Sequence, residues 1–318
     1  MPLAPIREFT VVDPKTGQIV CCPDGTPKKG WGINDIKMFV RGYWLTPPEK
    51  CSDQLPVSLT AFGTPGDTVI LTYIIDTQGH FDWAYIMGEI SGTVVNGFSL
   101  EFFDAQRNRR LQNKPVLSNN MVGSAFRPFM LPEPYFFDVG DSSREIQIIV
   151  RNLETTTRTV SLTLYGRRFY HKEMPPQLAQ EVREKWALKG YRTYPYFLAP
   201  VEVPANGVVV DSIAPSGTFT FTFDMDDDAD MECRKLLMSP VSSFASFTFA
   251  LREREFNRTI SNGAILGTLG FGTPEFPVNL LDSFLLERKK QLLLEITNTG
   301  IAPITLTPMI AGRRLHYR

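Results

Sequence analysis

The chain has 318 residues, 43% hydrophobic and 12% aromatic, with a formal net charge of -1. That is enough apolar material for more than one domain, at roughly 100–200 residues each. The near-neutral balance gives no global attraction to nucleic acid or to an anionic membrane.

The first residues, MPLAPIREF, have no basic stretch followed by an apolar run, so no secretory signal is expected. No segment reaches 18 uncharged apolar residues, so no membrane-spanning helix is expected. The four cysteines are Cys21, Cys22, Cys51 and Cys233. They form no C-x-x-C spacing, which fits reduced thiols rather than zinc or a disulfide framework.

Residues 1–42 are dense in turn dipeptides: Asp13-Pro14, Asp24-Gly25, Lys29-Gly30. They form an arm that orders on a partner, or a small hairpin lying across the first domain.

From Tyr43 the chain reads as short β-type segments separated by Gly, Pro, Asn and Asp. EIQIIVRNLETTTRTVSLTLYGRRF (Glu145–Phe169) recurs as QLLLEITNTGIAPITLTPMIAGRRL (Gln291–Leu315) without a gap. Ile146, Ile148 and Val150 fall on Leu292, Leu294 and Ile296, and Gly166-Arg167-Arg168 falls on Gly312-Arg313-Arg314. Strand alternation, a turn at Asn152 or Asn298, and a second strand-like run predict a β-hairpin in each copy. The repeat extends upstream: Ser99–Val116 resembles Thr248–Ile265, Thr72–Trp83 resembles Thr220–Met231, and YWLTPP resembles YFLAPV. Each copy is domain-sized, with about eight strand segments. The expected fold is all-β: two tandem duplicated sandwiches, residues 43–171 and 196–318. Size and strand count favour a jelly roll, with an immunoglobulin-like sandwich as the alternative.

Residues 172–195 read as a helical linker. Pro175-Pro176 suits a helix start, and Leu178, Val182 and Trp186 make one apolar stripe. Gly190 is placed as the C-terminal stop, for a helix of about 12–14 residues. The stripe packs on one of the two sandwiches or docks on a neighbouring subunit.

Few residues point to chemistry. Asp224, Asp226, Asp227, Asp228 and Asp230 lack the EF-hand order and read as a solvated hairpin tip. The histidines, His80, His171 and His316, have no metal-ligand spacing, and no Gly-x-Ser-x-Gly elbow occurs. GTLGFGTP (Gly267–Pro274) lacks the Lys-Ser/Thr of a phosphate loop and reads as a loop. The basic clusters Arg107–Arg110, Arg288–Lys290 and the two Gly-Arg-Arg motifs are interspersed with acids. They read as solvated edges or contacts to another chain. No catalytic residue, metal or cofactor is assigned. Arg167, Arg168, Arg313, Arg314 and Trp186 are the candidate interaction residues.

The framework from Trp83 through GEISGTVVNGFSLEFFDAQRNRRLQNKPV, FMLPEPYFF and VRNLETTTRTVSLTLYGRRFYH, with the link EMPPQLAQEV leading to YPYFLAP, resembles structural proteins of tailed bacteriophages. The resemblance covers Tyr43 to Arg318. It implies a non-enzymatic virion component, a collar or neck protein at the head–tail connector or a capsid decoration protein. It further implies a homo-oligomer in contact with portal, head-completion or major capsid proteins, made in the host cytoplasm. It carries no catalytic residue over. A tandem carbohydrate-binding protein is the alternative from another class. It would need matched exposed aromatic platforms, and among Trp31, Trp44, Trp83 and Trp186 only Trp44 has an aromatic counterpart, Phe197.

Overall fold

A computed structural model describes residues 40–45, 57–59, 68–90, 97–124, 126–139, 144–153, 158–203, 212–239, 244–255, 258–261 and 263–316. Residues 1–39 of the arm, with Cys21, Cys22 and Trp31, lie outside these residues, as does Cys51, while residues 40–42, assigned to the arm from sequence, begin the first strand.

The first sandwich contains β1 (Val40–Leu45), β2 (Val57–Leu59), β3 (Thr68–Ile75), β4 (His80–Ile90), β5 (Phe98–Asp104), β6 (Arg109–Arg110), β7 (Val116–Leu117), β8 (Phe129–Phe137), β9 (Arg144–Asn152) and β10 (Arg158–Phe169). The second contains β11 (Thr193–Leu198), β12 (Thr218–Asp224), β13 (Asp230–Ser239), β14 (Phe247–Glu253), β15 (Arg258–Thr259), β16 (Ile265–Leu266), β17 (Val278–Leu286), β18 (Gln291–Asn298) and β19 (Thr307–Leu315).

In the first sandwich one sheet runs β1-β10-β4-β8, with β2 beside β10, and the other runs β3-β9-β5-β6, with β7 beside β5. The second sandwich gives the same orders, β11-β19-β13-β17 and β12-β18-β14-β15, with β16 beside β14. All of these pairings are antiparallel. The chain steps from one sheet to the other between β3 and β4, β4 and β5, β8 and β9, and β9 and β10. This two-sheet order is that of a jelly roll.

The expected hairpins are corrected by this topology. β9 pairs with β3 and β5, whereas β10 pairs with β1, β2 and β4. β18 and β19 divide between their sheets in the same way. Alternation reports which face of a strand is buried, and it reports that correctly: Ile146, Ile148, Val150, Leu292, Leu294 and Ile296 are all buried. It carries no information about which neighbour the strand bonds.

The linker helix spans Pro176–Arg192. It begins at the expected proline, with Ala179 N–H donating to the Pro175 carbonyl at 3.0 Å. It runs past Gly190 and passes directly into β11, so pairing with β19 ends it rather than a glycine cap. An interior Gly costs about 1 kcal/mol relative to Ala, a cost small enough for a helix to absorb. Leu178 and Val182 pack with Met174, Phe169 and Phe136, so the stripe lies on the first sandwich. The side chain of Trp186 lies outside the described residues.

Candidate functional site

The two Gly-Arg-Arg motifs are built around a β-bulge. Along β4, Tyr85 faces Tyr165 and Trp83 faces Gly166, which leaves Ala84 as the extra residue. Along β13, Lys235 faces Ala311 and Cys233 faces Gly312, which leaves Arg234 as the extra residue. At both bulges the backbones close up. A Cβ on Gly166 would lie 2.1 Å from the Asp82 carbonyl oxygen, and one on Gly312 would lie 2.1 Å from that of Glu232. The glycine is therefore a steric requirement of the bulge.

The arginines that follow are paired within the molecule; Arg168 and Arg314 are buried, Arg313 half-buried and Arg167 exposed. Arg167 bonds Asp82 Oδ2 at 2.5 Å through Nη2 and at 3.2 Å through Nε. Arg313 Nε bonds Glu232 Oε2 at 2.6 Å. Arg168 is buried and pairs with Asp76. Arg314 is buried too, pairs with Asp228, and reaches Asp226 at 2.9 Å. Its guanidinium lies 4.5 Å from the Tyr196 ring centroid. Expected to meet solvent or another chain, Arg168 and Arg314 instead tie strand ends to inter-sheet loops of their own sandwich, while Arg167 and Arg313 pair across to β4 and β13, with Arg167 still exposed to solvent. The aspartate run is corrected with them: it joins β12 and β13, which lie in different sheets, and two of its members hold Arg314. Burial alone would raise the Glu232 carboxyl, but bonds from Arg234, Ser283 and Arg313 outweigh it and hold it low.

The histidines lie in two separate places. His80 and His171 stack with ring centroids 4.2 Å apart. His80 Nδ1 accepts the Val139 N–H at 3.0 Å and lies 3.3 Å from Asp138, which also receives Arg183 Nε of the linker helix at 3.4 Å. Burial, reinforced by the neighbouring His171, lowers His80 to about 4 despite Asp138. At neutral pH the ring is therefore uncharged, and it is Asp138, through Arg183, that ties the helix to the sandwich. His316 stacks on Tyr194 at 5.5 Å, away from this pair. Among the described residues no group of three His, Cys, Asp or Glu is placed to hold a metal. No helix among them is long and apolar enough to cross a membrane.

The most elaborate polar arrangement joins the two sandwiches. Phe197 of β11 donates its N–H to the Leu111 carbonyl at 2.9 Å and forms a parallel bridge with Gln112. Asn113 extends this pairing with its side chain, bonding both the N–H and the carbonyl of Ala199 at 2.8 Å. Lys114 Nζ donates to the carbonyls of Val201 and Val203 at 2.6 and 2.7 Å. Farther along, Arg234 bonds the Pro132 carbonyl at 2.7 Å and Glu133 at 2.9 Å, and Lys235 Nζ bonds the Met130 carbonyl at 2.6 Å. These two cations cap carbonyls of β8, an edge strand. Lys235 is 3% exposed, and burial, with help from the Arg234 charge, lowers it to about 8. Phe197 packs between Phe102 and Phe129, at 6.4 and 6.3 Å, and Tyr135 meets Tyr194 edge-on. Arg109 lies 4.2 Å over Tyr194 and Arg127 lies 3.8 Å over Phe276. The buried apolar residues of both sandwiches accordingly form one continuous cluster.

Of the arginines singled out in sequence, Arg109 crosses this seam to the second sandwich, whereas Arg107 bonds the Phe136 carbonyl at 3.1 Å within the first. The GTLGFGTP segment forms one helical turn, Gly267–Gly270, and a bridge at Gly272 that mirrors the turn Ser118–Met121 and the bridge at Gly123. Of the four tryptophans only Trp83 has a described side chain, and it is fully buried opposite Gly166, in the place Cys233 takes in the second sandwich.

No family model and no curated protein matches the sequence. Among solved structures, VP2 of infectious bursal disease virus, in a subviral particle, aligns with 98% of this chain at 8% identity and a TM-score of 0.24. The chain spans about half the length of VP2, 46%. PNGase F, a glycosylasparaginase from Flavobacterium meningosepticum, aligns with 86% of this chain and 96% of its own length, at 10% identity and a TM-score of 0.36.

Proposed function

We propose that this protein is a non-enzymatic structural component of a tailed-phage particle, present in multiple copies. Its place is the head–tail connector, as a collar or neck protein, with capsid decoration as the variant of the same role. The seam carries this reading. Hydrogen bonds, capped carbonyls and a shared core fix two sandwiches into one body, as a building block requires. Lys114, Arg109, Arg234, Lys235 and Glu133 are committed to that framework. Large apolar side chains are left outside: Phe126 is 97% exposed, Leu269 70% and Phe276 61%. Exposed aromatic and aliphatic side chains are available as anchors for contacts with other proteins. The phage assignment itself comes from the sequence resemblance.

The test is the native mass of the purified chain, alone and mixed with portal, head-completion or capsid proteins. Discrete multimers or a stoichiometric complex are expected. A chain that stays monomeric and ignores all three would refute the reading.

A further inference from the structure

Strands β8 and β17 hold the same place, each the last strand of its sheet, beside β4 and β13. Their registers match residue for residue: Phe137 lies opposite Phe81, and Leu286 lies opposite Met231. Their surroundings differ. On β8, Leu131, Glu133, Tyr135 and Phe136 are buried, because β11, the bulge of β13 and the linker helix cover them. On β17 the described positions of the matching strip are more open. Leu285, the counterpart of Phe136, is 40% exposed, Asn279 and Ser283 are exposed, and Phe284 and Leu280 are half-buried. Among the described residues β17 pairs with β13 alone. An apolar edge strand left bare is an association site unless something blocks it.

We infer that β17 docks on the first sandwich of a second copy of this chain, head to tail, as β8 docks on the second sandwich within one copy. The inference rests on the multi-copy reading above and names its contact. The receiving edge is β1, which holds the place of β11 in the repeated sheet order. Tyr43 opposite Gly166 matches Tyr196 opposite Gly312, so Trp44 occupies the register position of Phe197, the residue central to the internal seam. Beside β1 lie the half-buried rings of Tyr85 and Tyr165, 6.0 Å apart. The bulge there carries Ala84-Tyr85 in place of Arg234-Lys235. The contact between copies therefore lacks the two cations that cap β8 and relies on apolar and aromatic burial. Its dependence on salt is correspondingly weak. A β17-to-β1 contact is heterologous, so successive copies turn in one sense and close into a ring when the rotation permits.

The experiment uses the full chain. Leu285→Glu is expected to weaken self-association about tenfold or more by native mass and sedimentation, because a charge replaces an apolar contact. Its melting temperature should fall by only a few degrees, since Leu285 is 40% exposed and the new carboxylate faces Glu232 across the strand pair. A photo-crosslinking residue at position 285 of the otherwise wild-type chain should label residues 40–45, Tyr85 or Tyr165 of another copy. Crosslinks to β17 of the other copy would overturn the head-to-tail contact. Multimers that survive Leu285→Glu unchanged would overturn it and leave the multi-copy reading standing. So would a monomer that binds portal or capsid protein. A monomer that binds neither would overturn both.

Discussion

Lys235 offers the sharpest test of the seam, because it predicts a pH dependence opposite to that of a surface lysine. Its ammonium group is buried between the sandwiches, bonds the Met130 carbonyl at 2.6 Å and sits 5.1 Å from the Phe129 ring centroid. Burial lowers it to about 8, against an ordinary 10.5. Below pH 8 both folded and unfolded chains carry the proton, and the folded chain bears the full cost of the buried charge. Between pH 8 and 10.5 the folded chain releases the proton while the unfolded chain keeps it. The unfolded state then binds more protons, so stability rises with pH. At about 1.4 kcal/mol per tenfold, the gain by pH 10 is roughly 2.5 kcal/mol. Lys235→Met keeps the length and apolar stem and removes the titration. Losing the bond to the carbonyl costs about 1–3 kcal/mol, and removing the desolvated charge offsets a similar amount, so the variant should be near wild type at pH 7. At pH 10 the wild type should be the more stable by roughly 2.5 kcal/mol, measured as the difference in urea unfolding free energy. Buried tyrosines that titrate high pull both proteins down together and cancel in the comparison. Parallel stability curves from pH 7 to 10 would refute the reasoning, since they would mean that Lys235 titrates as if in water.

Two further outcomes rest on the same geometry. His80, lowered to about 4 from 6.5, takes its proton in the unfolded chain first as pH falls, so stability is lost between pH 6.5 and 4. The loss by pH 4.5 is about 2.5 kcal/mol. His80→Asn, which can still accept the Val139 N–H, should flatten that part of the urea-midpoint profile; an unaltered slope would show that another group is responsible. Gly166→Ala and Gly312→Ala each place a methyl group 2.1 Å from a backbone oxygen. Each should cost about 2–4 kcal/mol, and thermal melts showing less than about 1 kcal/mol at either position would mean that the bulge relaxes freely.

The periodic part of the fold was legible in the sequence. Alternation at Ile146–Val150 and Leu292–Ile296 marked buried faces, and the Gly-Arg-Arg echo marked matching strands. Pairing was not legible, because a strand that crosses to the other sheet alternates just as one that returns in a hairpin does. The seam was illegible for a different reason. Asn113, Lys114, Arg234 and Lys235 act across 86 to 105 residues of chain and belong to no period. The stacking of His80 on His171 spans the two ends of the sheet core in sequence and is equally silent. Arg168 and Arg314 misled because paired arginines ordinarily face water, and here each has acidic partners in a loop from the facing sheet.

A signal for the seam was nonetheless present, in the differences between the copies rather than their likeness. Two sandwiches with the same strand order need the same residues wherever only the order matters, and Gly166 and Gly312 show this. Where one copy meets its neighbour and the other does not, the requirements part. The bulge reads Ala84-Tyr85 in the first sandwich and Arg234-Lys235 in the second, because only the second must cap the carbonyls of β8. Strand β8 reads FMLPEPYFF and β17 reads VNLLDSFLL, with Phe136 buried under the linker helix and Leu285 left outside. Leu285 remains apolar at an edge where a lone sandwich would gain from a charge. Leu285, left apolar and outside while its counterpart Phe136 is covered, is what the proposed contact between copies needs.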